Sequence, residues 1–234
     1  MPVHDDLGMR MKSYYEAIPK TRLMRRVPVA IRLDGKAFHT FTRGFEKPFD
    51  DWFISTMDKT AVHLCKEIQN CVCAFVQSDE ISLIIRDSTL TCMPFDGRLC
   101  KLQSIIPSMA TAFFNKEIIK RNLTAGMDVD AITDMPDYCF DCKAWTVPTA
   151  NEAMAWVLYR QIDCIRNSKQ QFAQTYIPHK QLMGKDTDKQ RTVNLFSYKS
   201  KSDSYNRRDK SPPGSCNLAC TCTGFTIRAV NKTC

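Results

Sequence analysis

Hydrophobic positions along the chain recur with two periods, and the switches between them predict its elements. Residues 6–18 suit a helix. Val27 to Leu33 (VPVAIRL) is β-branched and alternating, a strand pattern that runs into Asp34-Gly35. Over 51–69, Phe53, Met57, Ala61, Leu64 and Ile68 fall at spacings of four and three, the apolar stripe of a helix. Residues 71–77 (CVCAFVQ) and 81–86 (ISLIIR) form two strands around the polar tip Ser78-Asp79-Glu80, a hairpin. An irregular loop is expected over 87–103. A helix then runs from Pro107, a residue tolerated in a first turn, to Arg121. A strand over 138–147 and a long helix over 151–176 complete the series. That helix carries an apolar stripe of Met154, Leu158, Ile162, Ile165, Phe172 and Tyr176, and another face with Arg160, Asp163, Asn167 and Gln174. Beyond Gly184 the periodicity fades, and no internal repeat is visible.

The order is strand, helix, strand, strand, helix, strand: an α+β fold with the βαββαβ core of ferredoxin-like domains and added helices. In that topology the first and third strands are central, antiparallel neighbours. The end of the first therefore lies beside the start of the third, which brings Asp34 to Asp79 and Glu80. Carboxylates pressed together repel unless a cation neutralises them. A Mg2+ pair, which takes carboxylate and carbonyl oxygens together with substrate phosphates, suits such a place. The plain alternative makes Asp34 a turn residue before Gly35 and Asp79 part of a hairpin tip.

After Asp34, the run Gly35-Lys36-Ala37-Phe38-His39 offers consecutive backbone N–H groups, a nest for a triphosphate. Lys36, His39 and Lys47 add positive charge or hydrogen bonds, though His39 reads equally as a structural histidine and Lys36 as a solvated side chain. The spacing is not that of a P-loop.

Composition narrows the class. The 234 residues are 44% hydrophobic, enough for a sizeable core, with 33 basic against 25 acidic residues and a net charge of +8. Ten of the basic residues and only four of the acidic ones lie from Gly184 onward, with Lys199, Lys201, Arg207, Arg208 and Lys210 set among Ser, Asn and Pro. Residues 1–183 are therefore expected to form the folded domain that carries Asp34 and Asp79, and 184–234 a basic, Cys-containing, poorly ordered tail that adds attraction to phosphate backbones. A smaller basic group is Lys20, Arg22, Arg25 and Arg26. Most of the 12 cysteines sit in apolar runs and are expected as free thiols. Cys139-Phe-Asp-Cys142 and the Cys216, Cys220, Cys222 cluster are weak metal signals. With no long apolar span and no signal-like start, a cytoplasmic protein without a membrane segment is expected.

The runs Arg32-Leu-Asp-Gly-Lys-Ala-Phe-His39, Glu46-Lys-Pro-Phe-Asp50 and Gln77-Ser-Asp-Glu-Ile-Ser82 resemble the tRNA-His guanylyltransferase superfamily over roughly residues 10–183. The resemblance implies a polymerase palm, two Mg2+ ions, and nucleotide addition at a tRNA 5′ end in the 3′–5′ direction, with ATP or GTP as activating substrate. By motif match it implies Asp34, Asp79 and the Gly35 carbonyl as metal ligands. Gly35 through His39, with Ser78 and Lys47, would hold the triphosphate, and Glu80 would stand beside the catalytic carboxylates. It further implies a homo-oligomer, in this family a tetramer.

The long helix departs from the family's eukaryotic tRNA-His enzymes. Where those carry a His-Ile-Asn-Asn run, this chain has Ile165 in the place of the histidine. In this it is similar to the guanylyltransferase-like branch, which resemblance links to template-dependent repair of truncated tRNA 5′ ends. Arg160, Asp163 and Asn167 share one face, which either meets the nucleotide or RNA end or is a salt-bridged, solvated surface. The tail shows no convincing match to the family. A catalytically weakened RNA-binding relative and another palm-fold nucleotidyl enzyme are the alternatives.

Overall fold

The computed structural model describes residues 6–16, 21–86, 93–177 and 227–229. The basic tail residues, Lys20, Cys92 and the tail cysteines lie outside them. In chain order the elements are α1 (Asp6–Arg10), β1 (Val29–Gly35), α2 (Phe38–Phe41), α3 (Asp51–Glu67), β2 (Cys71–Gln77), β3 (Glu80–Ile85), α4 (Leu99–Thr124), α5 (Val129–Thr133), β4 (Phe140–Thr146), α6 (Ala150–Tyr176) and β5 (Ile227–Ala229). The expected helix over 6–18 is the short α1 followed by a wider π-helical turn, Met11–Tyr15.

The five strands are antiparallel in the order β4-β1-β3-β2-β5. The first four reproduce the ferredoxin-like arrangement of a palm, with β1 and β3 at the centre. β5 was not expected: three residues of the chain's last stretch pair with Cys73–Phe75 and cover that edge of β2. Covering an edge satisfies backbone groups that would otherwise recruit another strand.

Strand alternation sorts the side chains into two layers. Val29, Ile31 and Leu33 of β1 with Ile81, Leu83 and Ile85 of β3 face α3 and α4, whose Met57, Leu64, Leu102, Ile106 and Phe114 close the main core. Ala30, Phe75 and Ile84 face the other way, towards Ala153, Val157 and Cys164 of α6.

Two expectations are corrected. The fourth helix starts at Leu99 rather than Pro107, so the proline sits inside it and part of the expected loop is helical. Pro107 removes one backbone bond at about 3 kcal/mol. Full burial of Leu102 and Ile106, one turn apart, returns roughly 1.5–3 kcal/mol each and carries the helix through. Second, the apolar stripe of α6 is not its buried side: Met154, Leu158 and Ile162 are 60%, 54% and 59% exposed. The sheet is met instead by Ala153, Val157, Arg160 and Cys164, all buried. The side chain of Tyr176 lies outside the described ones.

Among the described cysteines, Cys65, Cys71 and Cys164 are buried and in the thiol form as apolar runs suggest, whereas Cys100 and Cys139 are exposed. No described helix is long and apolar enough to cross a membrane.

Candidate active site

At one end of the sheet Asp34, the penultimate residue of β1, pairs in register with Glu80, the first residue of β3. Paired residues share a face, so both carboxylates point to the side covered by α6. The hairpin tip is shorter than expected, Ser78-Asp79 alone, with Ser78 at φ 51° in the left-handed region. Its Asp79 carbonyl accepts the Gly35 N–H at 3.1 Å, which ties the tip to the end of β1. Asp34 and Asp79 are therefore neighbours across this link, more than forty residues apart in the chain. Burial pushes the Asp79 carboxyl above its ordinary range, and the Asp34 and Glu80 charges push it further.

The turn after β1 is built around Phe38. Its ring is buried among Phe41, Phe53, Phe114, Tyr138 and Phe140, with centroids 5.1–6.1 Å away. Ala37 enters α2 from the left-handed region at φ 57°. The Gly35 N–H is taken by Asp79 and the Lys36 N–H by the Cys139 carbonyl at 2.9 Å. This narrows the expected nest: among the described residues, the N–H groups that open α2, at Phe38 and His39, together with Ala37, are those left for a ligand. Phe38 can serve only through its backbone, while the side chains of Lys36, His39 and Lys47 are exposed.

Glu80 is differently placed from its neighbours. Arg160 of α6 grips it from the sheet's far side, Nε to Oε1 and Nη2 to Oε2, both at 2.7 Å. Asp163 lies 3.3 Å from the same guanidinium and is itself bonded by Arg166 and by Asn167. Arg160 is buried, so this part of the helix face is salt-bridged but not solvated. Among the described residues, neither Asp34 nor Asp79 has such a basic partner.

Pattern reading missed the residues that hold this end from behind. Asn115 of α4 donates to the Tyr138 carbonyl at 2.8 Å and accepts the Tyr138 N–H at 3.0 Å, and Thr111 accepts the Phe140 N–H. These bonds seat the start of β4 and the residue before it, Cys139, whose carbonyl accepts the Lys36 N–H. Gln171 of α6 donates to the Pro48 carbonyl at 3.0 Å, next to Lys47. A polar residue inside an apolar helical run, as Asn115 is, was the one available signal.

The donor set is two carboxylates and a nearby backbone carbonyl at Gly35, all hard oxygens, with the half-buried Asp79 carboxyl raised in pKa. Among the described residues no group of three acidic, His or Cys side chains could hold a metal alone. The set fits Mg2+, which keeps waters and binds through one or two carboxylates plus substrate phosphates, and not a closed protein cage.

Comparison with known proteins agrees with this architecture. The family described as tRNAHis guanylyltransferase matches residues 8–148, more than half of the chain. A probable tRNA(His) guanylyltransferase of Dictyostelium discoideum is 38% identical over 39% of this chain and 36% of its own. The tRNA(His) guanylyltransferase of Schizosaccharomyces pombe is 31% identical over 67% of this chain and 58% of its own. The chain thus spans between a third and two thirds of these curated relatives. Among solved structures, a bacterial tRNA(His) guanylyltransferase-like protein in complex with ATP is 34% identical, with a TM-score of 0.72 over 83% of this chain and 80% of that one. A similar protein in complex with GTP is 35% identical, with a TM-score of 0.65 over 74% and 78%. With its palm topology and the carboxylates gathered at the palm's rim, the chain belongs to the tRNAHis guanylyltransferase family of nucleotidyltransferases.

Proposed function

We propose that this chain lengthens tRNA 5′ ends in the 3′–5′ direction. The observation that carries the reading is the pair Asp34 and Asp79, adjacent at the sheet's rim and, among the described residues, without a basic partner, beside the N–H groups that open α2. The names of the nucleotide-bound relatives supply the nucleoside triphosphates and tRNA as substrate classes.

The reaction has two phosphoryl transfers, driven by positioning and charge neutralisation. A 5′-monophosphate oxygen of the tRNA first attacks the α-phosphorus of ATP or GTP, and pyrophosphate leaves, giving a 5′–5′ linked nucleotide. The 3′-hydroxyl of an incoming triphosphate then attacks the tRNA's 5′ phosphorus. The activating nucleotide leaves as a monophosphate, and the hydroxyl proton goes to solvent. A tRNA already bearing a 5′ triphosphate skips the first step. Bound Mg2+ ions would supply charge neutralisation and a lowered hydroxyl pKa. Asp34, Asp79 and the Gly35 carbonyl would hold them, the N–H groups of Ala37 to His39 with Ser78 would take the triphosphate, and Lys47 would meet a phosphate. No side chain acts as nucleophile. Ile165, where the eukaryotic tRNA-His enzymes carry histidine, favours templated repair of shortened 5′ ends over addition of a single untemplated G.

We also read the exposed stripe of α6 as the face met by a second copy of the chain, since a monomer gains nothing from wetting Met154, Leu158 and Ile162. A labelled-nucleotide assay on 5′-truncated tRNA, with the growing end mapped and Mg2+ present or chelated, tests the reaction. Growth at the 3′ end, or a cyclic nucleotide product, rejects it.

A further inference from the structure

Glu80 has little capacity left for a cation. Oε1 accepts from Arg160 Nε and from Ser82 Oγ at 3.1 Å, Oε2 accepts from Arg160 Nη2, and Arg32 Nε stands 3.8 Å from Oε2. Both partners are buried, with side chains 8% and 10% exposed. A cation could take Glu80 only by breaking both of its bonds to a buried guanidinium and leaving that group to Asp163, 3.3 Å away, a costly exchange inside the protein. Yet Glu80 is the strand partner of Asp34 and the chain neighbour of Asp79, so displacing it moves both. Further along the same helix, Gln171 holds the Pro48 carbonyl beside Lys47, eleven residues or about 16 Å from Arg160. α6 is thus pinned at two points that bracket the site, while its apolar contact with the sheet is small.

We propose that Arg160 is a positioning residue: through Glu80 it makes α6 a strut that sets Asp34 and Asp79 in register with the Lys47 segment, and Glu80 is the strut's anchor and not a cation ligand. The inference deepens the proposed function and rests on its cation site.

The test uses the full chain with Arg160→Met, Arg160→Lys, Glu80→Gln, the Arg160→Met/Glu80→Gln pair and Asp79→Asn. Mn2+ binding is read by electron paramagnetic resonance without turnover, and kcat and KM are read on 5′-triphosphorylated tRNA below each variant's melting point. Arg160→Met and Glu80→Gln should each lower kcat by up to about a hundredfold, as loss of positioning does, with KM for the nucleotide moved less than about threefold. The double variant should be no worse than either single one, because both remove the same contact. Arg160→Lys, which keeps the charge but not the fork, should recover part of kcat and remains measurable should Arg160→Met fail to fold. Glu80→Gln should bind Mn2+ within about threefold of wild type, while Asp79→Asn loses at least tenfold, the contrast expected of an anchor beside a ligand. Glu80→Gln matching Asp79→Asn in Mn2+ binding, multiplicative losses in the double variant, or wild-type kcat in Arg160→Met would each overturn the proposal. Wild-type Mn2+ binding by Asp79→Asn would strike the cation site itself, and the strut's purpose with it.

Discussion

The ring of Phe38 occupies the space a side chain on Gly35 would need: a Cβ there would lie 1.8 Å from Phe38 Cδ2. The motif's glycine is required by a close approach, since Phe38 is the centre of the aromatic core and cannot retreat. Its partner in the turn, Ala37, absorbs the left-handed backbone that lets the chain fold back onto the strand end.

Gly35→Ala is accordingly expected to destabilise the protein by about 3 kcal/mol, at the upper end of overpacking, and to displace the N–H groups of α2. Denaturant melts measure the first effect, and ATP titration of the folded fraction measures the second.

Asp79→Asn should abolish nucleotide addition yet leave the cation-free protein at least as stable as wild type near neutral pH. The raised pKa means that the folded state holds Asp79's proton longer than the unfolded chain, whose carboxyl titrates near 3.8. Stability is therefore lost as pH rises from that value through the raised one, and above it the charged carboxylate only weakens the fold. Calorimetry in chelator against pH should show the variant gaining on wild type across that interval. Mg2+ should raise the wild-type melting temperature and leave the variant's unchanged.

Ile162→Glu with Leu158→Lys should shift sedimentation towards the monomer without changing the helix content. The two positions lie on the exposed side of α6, away from Ala153, Val157 and Cys164, so the fold has no use for their apolar character. An unchanged sedimentation coefficient would remove this face from any assembly.

Asn115→Ala should lose about 1–3 kcal/mol, because the backbone groups of Tyr138 give up both of their side-chain partners. The same change loosens the strand start that receives Lys36, so KM for the nucleotide should rise more than kcat falls. Steady-state kinetics on the folded variant separate the two.

Truncation after residue 226 removes β5 and bares the edge of β2 at Cys73–Phe75. Amide exchange in those residues should quicken while that of β1 and β3 stays slow, which mass spectrometry of the β2 peptide reads directly.

The order of β1 to β4 with α3, α4 and α6, the partnership of β1 with β3 and the meeting of Asp34 with Asp79 were legible in the chain, because period-two and period-3.6 patterns are local and the split βαβ topology admits one central pair; the short α2 and α5 carry too few residues to show a period. The tail's return as β5 was not, since three residues carry no period. Nor was the start of α4, where burial of Leu102 and Ile106 overrides a proline that local rules place at a first turn. Only the packed structure decided which side of α6 faces the sheet: hydropathy selected Met154, Leu158 and Ile162, whereas the apolar patch of Ala30, Phe75 and Ile84 and the charge of Glu80 selected Ala153, Val157 and Arg160. A side chain's own polarity can be read from sequence, but a buried arginine is chosen by a carboxylate eighty positions away, and that pairing exists only once the sheet has formed.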